Sequence, residues 1–290
     1  MRGRHGGHEA FLSTEDTEIT KAFGAAKHTE GRNLMRTCAG WPVSVCTWSL
    51  RSGVEQVGDI LKSLDIGHVH LAVRPALEPD GKAYLDAVRK QGWTISATMI
   101  DFPSEDYSSL DSIRATGGVV PDGPWEANRQ LALGAVGVTK ELGAKFLSLH
   151  LGFIDHTQPA LAAKLTDRTR LLADAAAKAG IELLLETGQE SAADLRHFLE
   201  TMNHPALKIN FDPANMILYD KGTPVDAVRT LAPWIRHVHA KDATRTKTPG
   251  TWGAEVPWGD GEVNPSVFLK ALKESGFAGA IAIEREAGDD

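Results

Sequence analysis

From residue 43 onward the chain alternates between two hydrophobic periods. Short runs dense in aliphatic and β-branched residues read as strands: VSVCTW (43–48), HVHLAV (68–73), TISATMIDF (94–102), FLSLHLG (146–152), IELLLETG (181–188), LKINFDPA (207–214), HVHAKDA (237–243) and AIAIERE (280–286). Between them, over 53–65, 81–92, 127–144, 160–180, 192–202, 224–235 and 265–276, apolar residues recur every three or four positions, the signature of amphipathic helices. Gly92, Gly180 and Gly276 end three of these stretches as helix C-caps. Repeated strand–helix units imply a parallel sheet, and eight strands imply its closure into an α/β (β/α)8 TIM barrel lacking the helix that would follow the last strand. An open doubly wound sheet is the rival, but no GxGxxG follows the first strand.

Outside this alternation lie three irregular stretches. Residues 104–124 and 244–260 carry Gly and Pro and read as long loops. Residues 1–40 are rich in Gly, His, Thr and Glu without a sustained period, and read as a weakly ordered extension ahead of a barrel spanning 41–290. Met35, just before the first strand, is the expected natural start, with the preceding residues a translation artefact.

The strand ends change the picture from scaffold to chemistry. Four successive strands finish on Glu186, Asp212, His239 and Glu284. Active sites of parallel barrels sit at the C-terminal mouth, so these tips converge. Each residue alone has an ordinary reading as a helix cap or a satisfied core histidine. Converging carboxylates repel unless a cation or proton joins them, which makes the four together a divalent metal site. Oxygen-dominated ligation favours Mn²⁺, with Mg²⁺, Co²⁺ or, through the histidine, Zn²⁺ as alternatives. Alternation along the strands puts His237, His239 and Lys241 on one face and pairs His150 with Ser148, Asp212 with Asn210 and Glu284 with Ala282.

His150, His237, Lys241 and Trp252 are therefore candidate substrate contacts. Lys241 has an equally good reading as a structural partner of Asp242, and Trp252 and Trp258 are either a stacking lid over the mouth or ordinary loop packing. His70 is evenly divided between lumen and core. His5, His8, His28, His197 and His204 read as solvent-facing.

Composition narrows the partners. The 290 residues are 42% hydrophobic, enough for a full core, and carry a formal charge of −7 without a basic run, which argues against nucleic acid. Cys38 and Cys46, the only cysteines, form neither a disulfide framework nor a zinc knuckle; one buried and one near-surface reduced thiol are expected. No apolar run approaches a membrane span and no secretory signal opens the chain, so the expected compartment is the cytoplasm. Strands left without a covering helix favour a homo-oligomer.

The pieces HLG (150–152), LLLETG (183–188), NFDPANMIL (210–218), HVHAKDA (237–243), GEVNPSVFLKALKESGF (261–277) and IEREAG (283–288) resemble the sugar phosphate isomerase/epimerase superfamily, the xylose isomerase-like TIM barrels. The resemblance extends over about residues 42–288. It implies the same four metal ligands and a sugar substrate, with Glu186 and Glu284 also serving as the acid/base pair of a metal-dependent isomerase or epimerase. A dehydratase of a polyol or keto-acid, or a non-catalytic sugar-binding barrel, is the alternative. Asn215 stands where related three-zinc endonucleases have a histidine, which argues for one metal.

Overall fold

The structure, a computed structural model, describes residues 36–288. Eight parallel strands close on themselves: β2 (Trp41–Cys46), β3 (His68–Ala72), β4 (Thr94–Met99), β5 (Phe146–Leu149), β6 (Glu182–Glu186), β7 (Leu207–Phe211), β8 (Ile235–Ala240) and β11 (Ala280–Ile283), the last pairing back onto β2. Before them, β1 (Thr37–Cys38) folds antiparallel onto β2, so ordered pairing begins slightly earlier than composition indicates. Cys38 is buried there beside Trp41, and so both thiols are buried rather than one. Met35 and residues 1–34 lie outside the described residues, as do His5, His8 and His28.

Alternation sorts the strand residues between two environments. Val43, Val45, Val69, Leu71, Leu147, Leu149, Leu183, Leu185, Ile209, Phe211 and Val238 belong to the continuous apolar core. Each such aliphatic side chain contributes about 1.5–3 kcal/mol by leaving water. The alternate positions, including Ser44, His70, Ser148, Asn210, His237 and His239, are buried polar groups in the lumen. Two register shifts set this alternation. Against β3, β4 leaves Ser96 between paired positions, and against β7, β8 leaves Arg236 between them. The second bulge aims His237 and His239 inward together.

Among the described residues nine α-helices surround or cap the barrel: α1 (Val54–Ser63), α2 (Gly81–Gln91), α3 (Leu110–Thr116), α4 (Asp122–Glu141), α5 (Pro159–Ala179), α6 (Ala192–Met202), α7 (Pro213–Leu218), α8 (Pro224–Leu231) and α9 (Pro265–Glu274). Two of them were not expected. α3 lies inside the presumed loop 104–124, started by the Ser109 hydroxyl accepting from Ser112 N–H (3.0 Å). α7 is started by Asp212 itself, whose Oδ1 accepts from Asn215 N–H (2.9 Å), with Pro213 supplying a preset first turn. The other presumed loop, 244–260, is framed by a hairpin of β9 (Asp242–Thr244) and β10 (Ala254–Val256). Among the described residues no helix follows β11, and Ile283 is 39% exposed. Residues 284–288 instead turn across the mouth, held by Arg51 on the carbonyls of Glu286 and Gly288 and by Glu255 Oε1, which accepts from Glu286 N–H (2.9 Å). No helix among the described residues is long and apolar enough to cross a membrane.

Candidate active site

The four strand tips meet. One donor atom each from Glu186, Asp212, His239 and Glu284 lies within 4.8 Å of all the others, and all four side chains are buried. Donors around a hard divalent ion at about 2.1–2.4 Å stand at most about 4.8 Å apart, so the four atoms match the span of a coordination sphere as they are.

Their surroundings orient them. Glu186 accepts from Asn210 Nδ2 at Oε2 (3.1 Å) and from Asn215 Nδ2 at Oε1 (3.2 Å). Glu284 Oε1 accepts from the indole Nε1–H of Trp48 (2.8 Å), a residue the sequence reading placed in a strand but which lies in the 3-10 turn Thr47–Leu50. Glu284 Oε2 is buried with no aligned hydrogen bond, although Lys241 Nζ and His239 Nδ1 each stand 3.0 Å away. An acceptor left open at the centre of three carboxylates is what a metal ligand looks like before the ion is considered. The chemistry of the donor set therefore fits a single divalent cation.

His239 faces two ways. Nδ1 lies 3.0 Å from Glu284 Oε2, 3.4 Å from Asp212 Oδ2 and 3.6 Å from Glu186 Oε1. Nε2 lies 3.0 Å from both His70 Nδ1 and Asn210 Nδ2. The Asn210 amide nitrogen can only donate, so the acceptor for an Nε2–H is the lone pair of His70 Nδ1. Burial, then the charge of His239, pulls His70 down to about 3, which keeps it neutral for that role. His70 is thus a lumen residue beneath the cluster, not a packed bystander. Cys46 Sγ, 3.7 Å from His239 Nε2, is pushed up to about 12 by burial and stays a thiol.

Electrostatics divide the carboxylates. Burial raises the pKa of Glu186, outweighing the pull of His150 and His239. Burial also pushes Glu284 upward, but His239 and Lys241 more than offset it and hold the carboxyl well below its ordinary range. For His239 burial opposes the charge, and Glu284, Cys46 and Glu186 together raise it well above an ordinary imidazole.

Above the cluster opens a cavity of about 1000 Å³, whose lining includes Trp48, Tyr107, His150, Tyr219, Trp252 and Lys241. Lys241 does not pair with Asp242. Its ammonium reaches Glu286 (2.9 Å), Glu284 (3.0 Å) and Asp212 (3.7 Å). His150 lines the cavity, with Nε2 3.6 Å from Glu186 Oε1. Trp252 also lines it, edge-on to Tyr219 at 4.7 Å, whereas Trp258 packs on Phe268 of α9 and takes no part.

His237 is corrected from a substrate contact to a support. It is fully buried, does not line the cavity, and both ring nitrogens are engaged, by Asn210 Oδ1 (2.9 Å) and Ser96 Oγ (3.0 Å). His204 is also corrected. Its side chain is only 8% exposed and pairs with Asp174 Oδ1 at 3.0 Å, whereas His197 is exposed as expected. Glu105, Tyr107 and Asp101, which also line the cavity, had no signal beyond lying in or beside a Gly/Pro-bearing loop.

A family model described as xylose isomerase-like TIM barrel matches residues 53–290. The chain belongs to that family. Among solved structures, this xylose isomerase-like barrel is similar to a xylose isomerase domain protein from Planctomyces limnophilus, with 32% identity, TM-score 0.77 and coverage of 85% of this chain and 89% of that one. It shares its fold with a xylose isomerase-like TIM barrel protein from Mycobacterium smegmatis in complex with magnesium (18% identity, TM-score 0.66, 87% and 92% covered). The fold recurs in a D-psicose 3-epimerase from Clostridium cellulolyticum H10 with D-tagatose (14% identity, TM-score 0.63, 85% and 86% covered). No curated protein matches the chain.

Proposed function

We propose that this chain is a divalent-metal-dependent sugar isomerase or epimerase that abstracts a proton next to a carbonyl. The observation that carries the reading is the buried convergence of Glu186, Asp212, His239 and Glu284 beneath a cavity faced with Trp48 and Trp252. Family membership and the fold shared with a D-psicose 3-epimerase support it.

When bound, the cation supplies Lewis-acid polarisation of a substrate carbonyl and its neighbouring hydroxyl. Glu186, Asp212, His239 and Glu284 would hold it, and Mn²⁺ suits the oxygen-rich set best. Glu186 and Glu284 take and return the proton: return to the opposite face gives an epimer, and return to the adjacent carbon gives an isomer. Lys241 and His150, on either side, donate to substrate oxygens as negative charge develops there. Trp252 and Tyr219 cover the sugar's apolar face and exclude water.

The test is solvent deuterium incorporation by Mn²⁺-loaded protein across a panel of ketoses and aldoses. Exchange into a carbon next to the carbonyl is expected, with product mass unchanged apart from deuterium, which separates isomerisation from dehydration. Metal binding without exchange on any sugar would sink the catalytic reading in favour of a sugar-binding barrel.

A further inference from the structure

We infer that the cavity selects an unphosphorylated, uncharged polyol-carbonyl substrate and rejects its phosphorylated counterpart. This rests on the reading of the site given above and goes beyond it by fixing the substrate's charge. Three independent observations carry it.

The first is the charge of the walls. Asp101, Glu105, Glu255, Glu284 and Glu286 line the cavity, and the donor atoms of Glu186 and Asp212 lie within 4.8 Å of that of Glu284. Against these seven carboxylates the lining offers two side-chain cations, Arg74 and Lys241. Even with a divalent ion in place, the excess is negative. A phosphate dianion entering this space meets a net repulsion.

The second is that both lining cations are already paired. Arg74 Nε is bound to Asp101 at 2.8 Å. Lys241 is surrounded by Glu284, Glu286, Asp212 and Glu255. Turning the buried Lys241 over to a phosphate leaves buried carboxylates that it now neutralises without their counter-charge.

The third is the fate of the backbone amides. Barrels bind phosphate through loops after the seventh and eighth strands, where clustered N–H groups make an anion cradle. Here the loop after the seventh barrel strand, β8, has such a cradle, and Asp242 already fills it. Its Oδ1 accepts from Ala243 N–H (2.8 Å) and Val263 N–H (3.0 Å), and its Oδ2 from Gly259 N–H (3.0 Å) and Gly261 N–H (3.2 Å). Asp242 is buried, and a Cβ at Gly261 would stand 2.1 Å from its Oδ1, so the amides close tightly on the carboxylate. None of these residues lines the cavity, so these amides are spent on an internal anion and are not offered to a substrate's phosphate.

The experiment titrates the Mg²⁺-loaded full chain with free ketohexoses, with the same ketoses as 1- and 6-phosphates, and with inorganic phosphate. It reads tryptophan emission, to which Trp48 and Trp252 at the site contribute, and repeats key pairs by calorimetry. At least one free ketohexose is expected to give a saturable change, with its phosphates at least about tenfold weaker at low ionic strength and the gap narrowing as salt rises. Glu286→Gln, which releases part of Lys241, and Glu105→Gln are each expected to narrow the gap severalfold. Tighter binding of a phosphorylated ketose than of its free twin, or saturable binding of inorganic phosphate, overturns the inference. So does silence toward every ketose, free or phosphorylated. In that case deuterium exchange from a non-sugar carbonyl compound would still uphold the enolisation reading, so the two fail separately.

Discussion

The two halves of the barrel end their strands in opposite chemistry. From β6 to β11 the tips carry Glu186, Asp212, His239, Lys241 and Glu284, a dense set of titratable groups. From β2 to β5 the strands end on Cys46, Ala72, Met99 and Leu149, with His70 kept neutral by burial, and the polar residues that follow them, Arg74, Asp101 and His150, line the cavity without belonging to the metal-ligand cluster. Below and beside the charged wall, neutral groups hold it in place, as His70 does for His239 and Trp48 for Glu284. A site of this kind concentrates charge where electrons must move and gives the opposite wall the work of orientation and shape. The contrast also explains why either half alone would be inert: the charged wall without its neutral supports has no fixed tautomer, and the neutral wall has no base.

The comparison breaks most completely if the charged wall is neutralised. Glu186→Gln and Glu284→Gln each keep size and hydrogen bonding but remove a base and a ligand charge. Deuterium exchange is expected to fall by roughly 10³-fold, the range for loss of a positioned acid/base group. Retention of even a tenth of the exchange rate in both variants would mean the proton goes elsewhere.

Removing a neutral support should cost less. His70→Leu fills the space but deletes the acceptor for His239 Nε2–H, freeing the imidazole to adopt the tautomer that turns a proton toward the cluster. Metal affinity is expected to drop about 10–100-fold, as for other outer partners of ligating histidines, with circular dichroism unchanged. Equal metal dissociation constants in the two proteins would assign His70 to packing alone.

Smaller still is the effect expected at the aromatic cover. Trp252→Ala removes a ring that contacts Tyr219 and the cavity but no ion. It should raise KM severalfold while leaving kcat within a small factor, since a stacking surface holds substrate and transition state about equally. A kcat loss as large as that of Glu186→Gln would move Trp252 into the charged half's work.

How much of this was legible depended on whether the cause was local. The strands and their charged tips were readable because alternation and a terminal polar residue are properties of the run itself, as in AIAIE ending at Glu284. Family motifs pointed to the same residues. His237 was misread because its face was right but its depth was not. One alternation step below His239 takes it out of the cavity into the hydrogen bonds of Asn210 and Ser96, and Ser96 reaches inward only through a bulge between β3 and β4. Asp242 was read only as a possible structural partner of Lys241, because its actual partners Gly259, Gly261 and Val263 lie across a loop whose path no periodicity encodes. Cys38 was expected near the surface and His204 facing solvent, whereas Cys38 is buried in the β1–β2 hairpin and the His204 side chain, mostly covered, pairs with Asp174.

Glu190 offers the finest test, because it is a carboxylate in the charged half that behaves like the neutral one. It follows β6 in the loop toward α6 and is buried, and burial lifts its carboxyl to about 8 against the pull of Lys221. The unfolded chain releases the same proton near 4.3. Between those values the unfolded state ionises first, so this group's contribution to stability is full below about pH 4.3 and is lost as pH rises through about 8. Glu190→Gln keeps a neutral, hydrogen-bonding side chain at every pH. It should flatten the decline in Tm between pH 5 and pH 8 and raise Tm at pH 8 by at least about 3 °C, with deuterium exchange unchanged. Identical Tm profiles for the two proteins would mean that Glu190 is ionised in the native state near neutrality, and the charged half would then extend beyond the metal cluster into its own supporting loop.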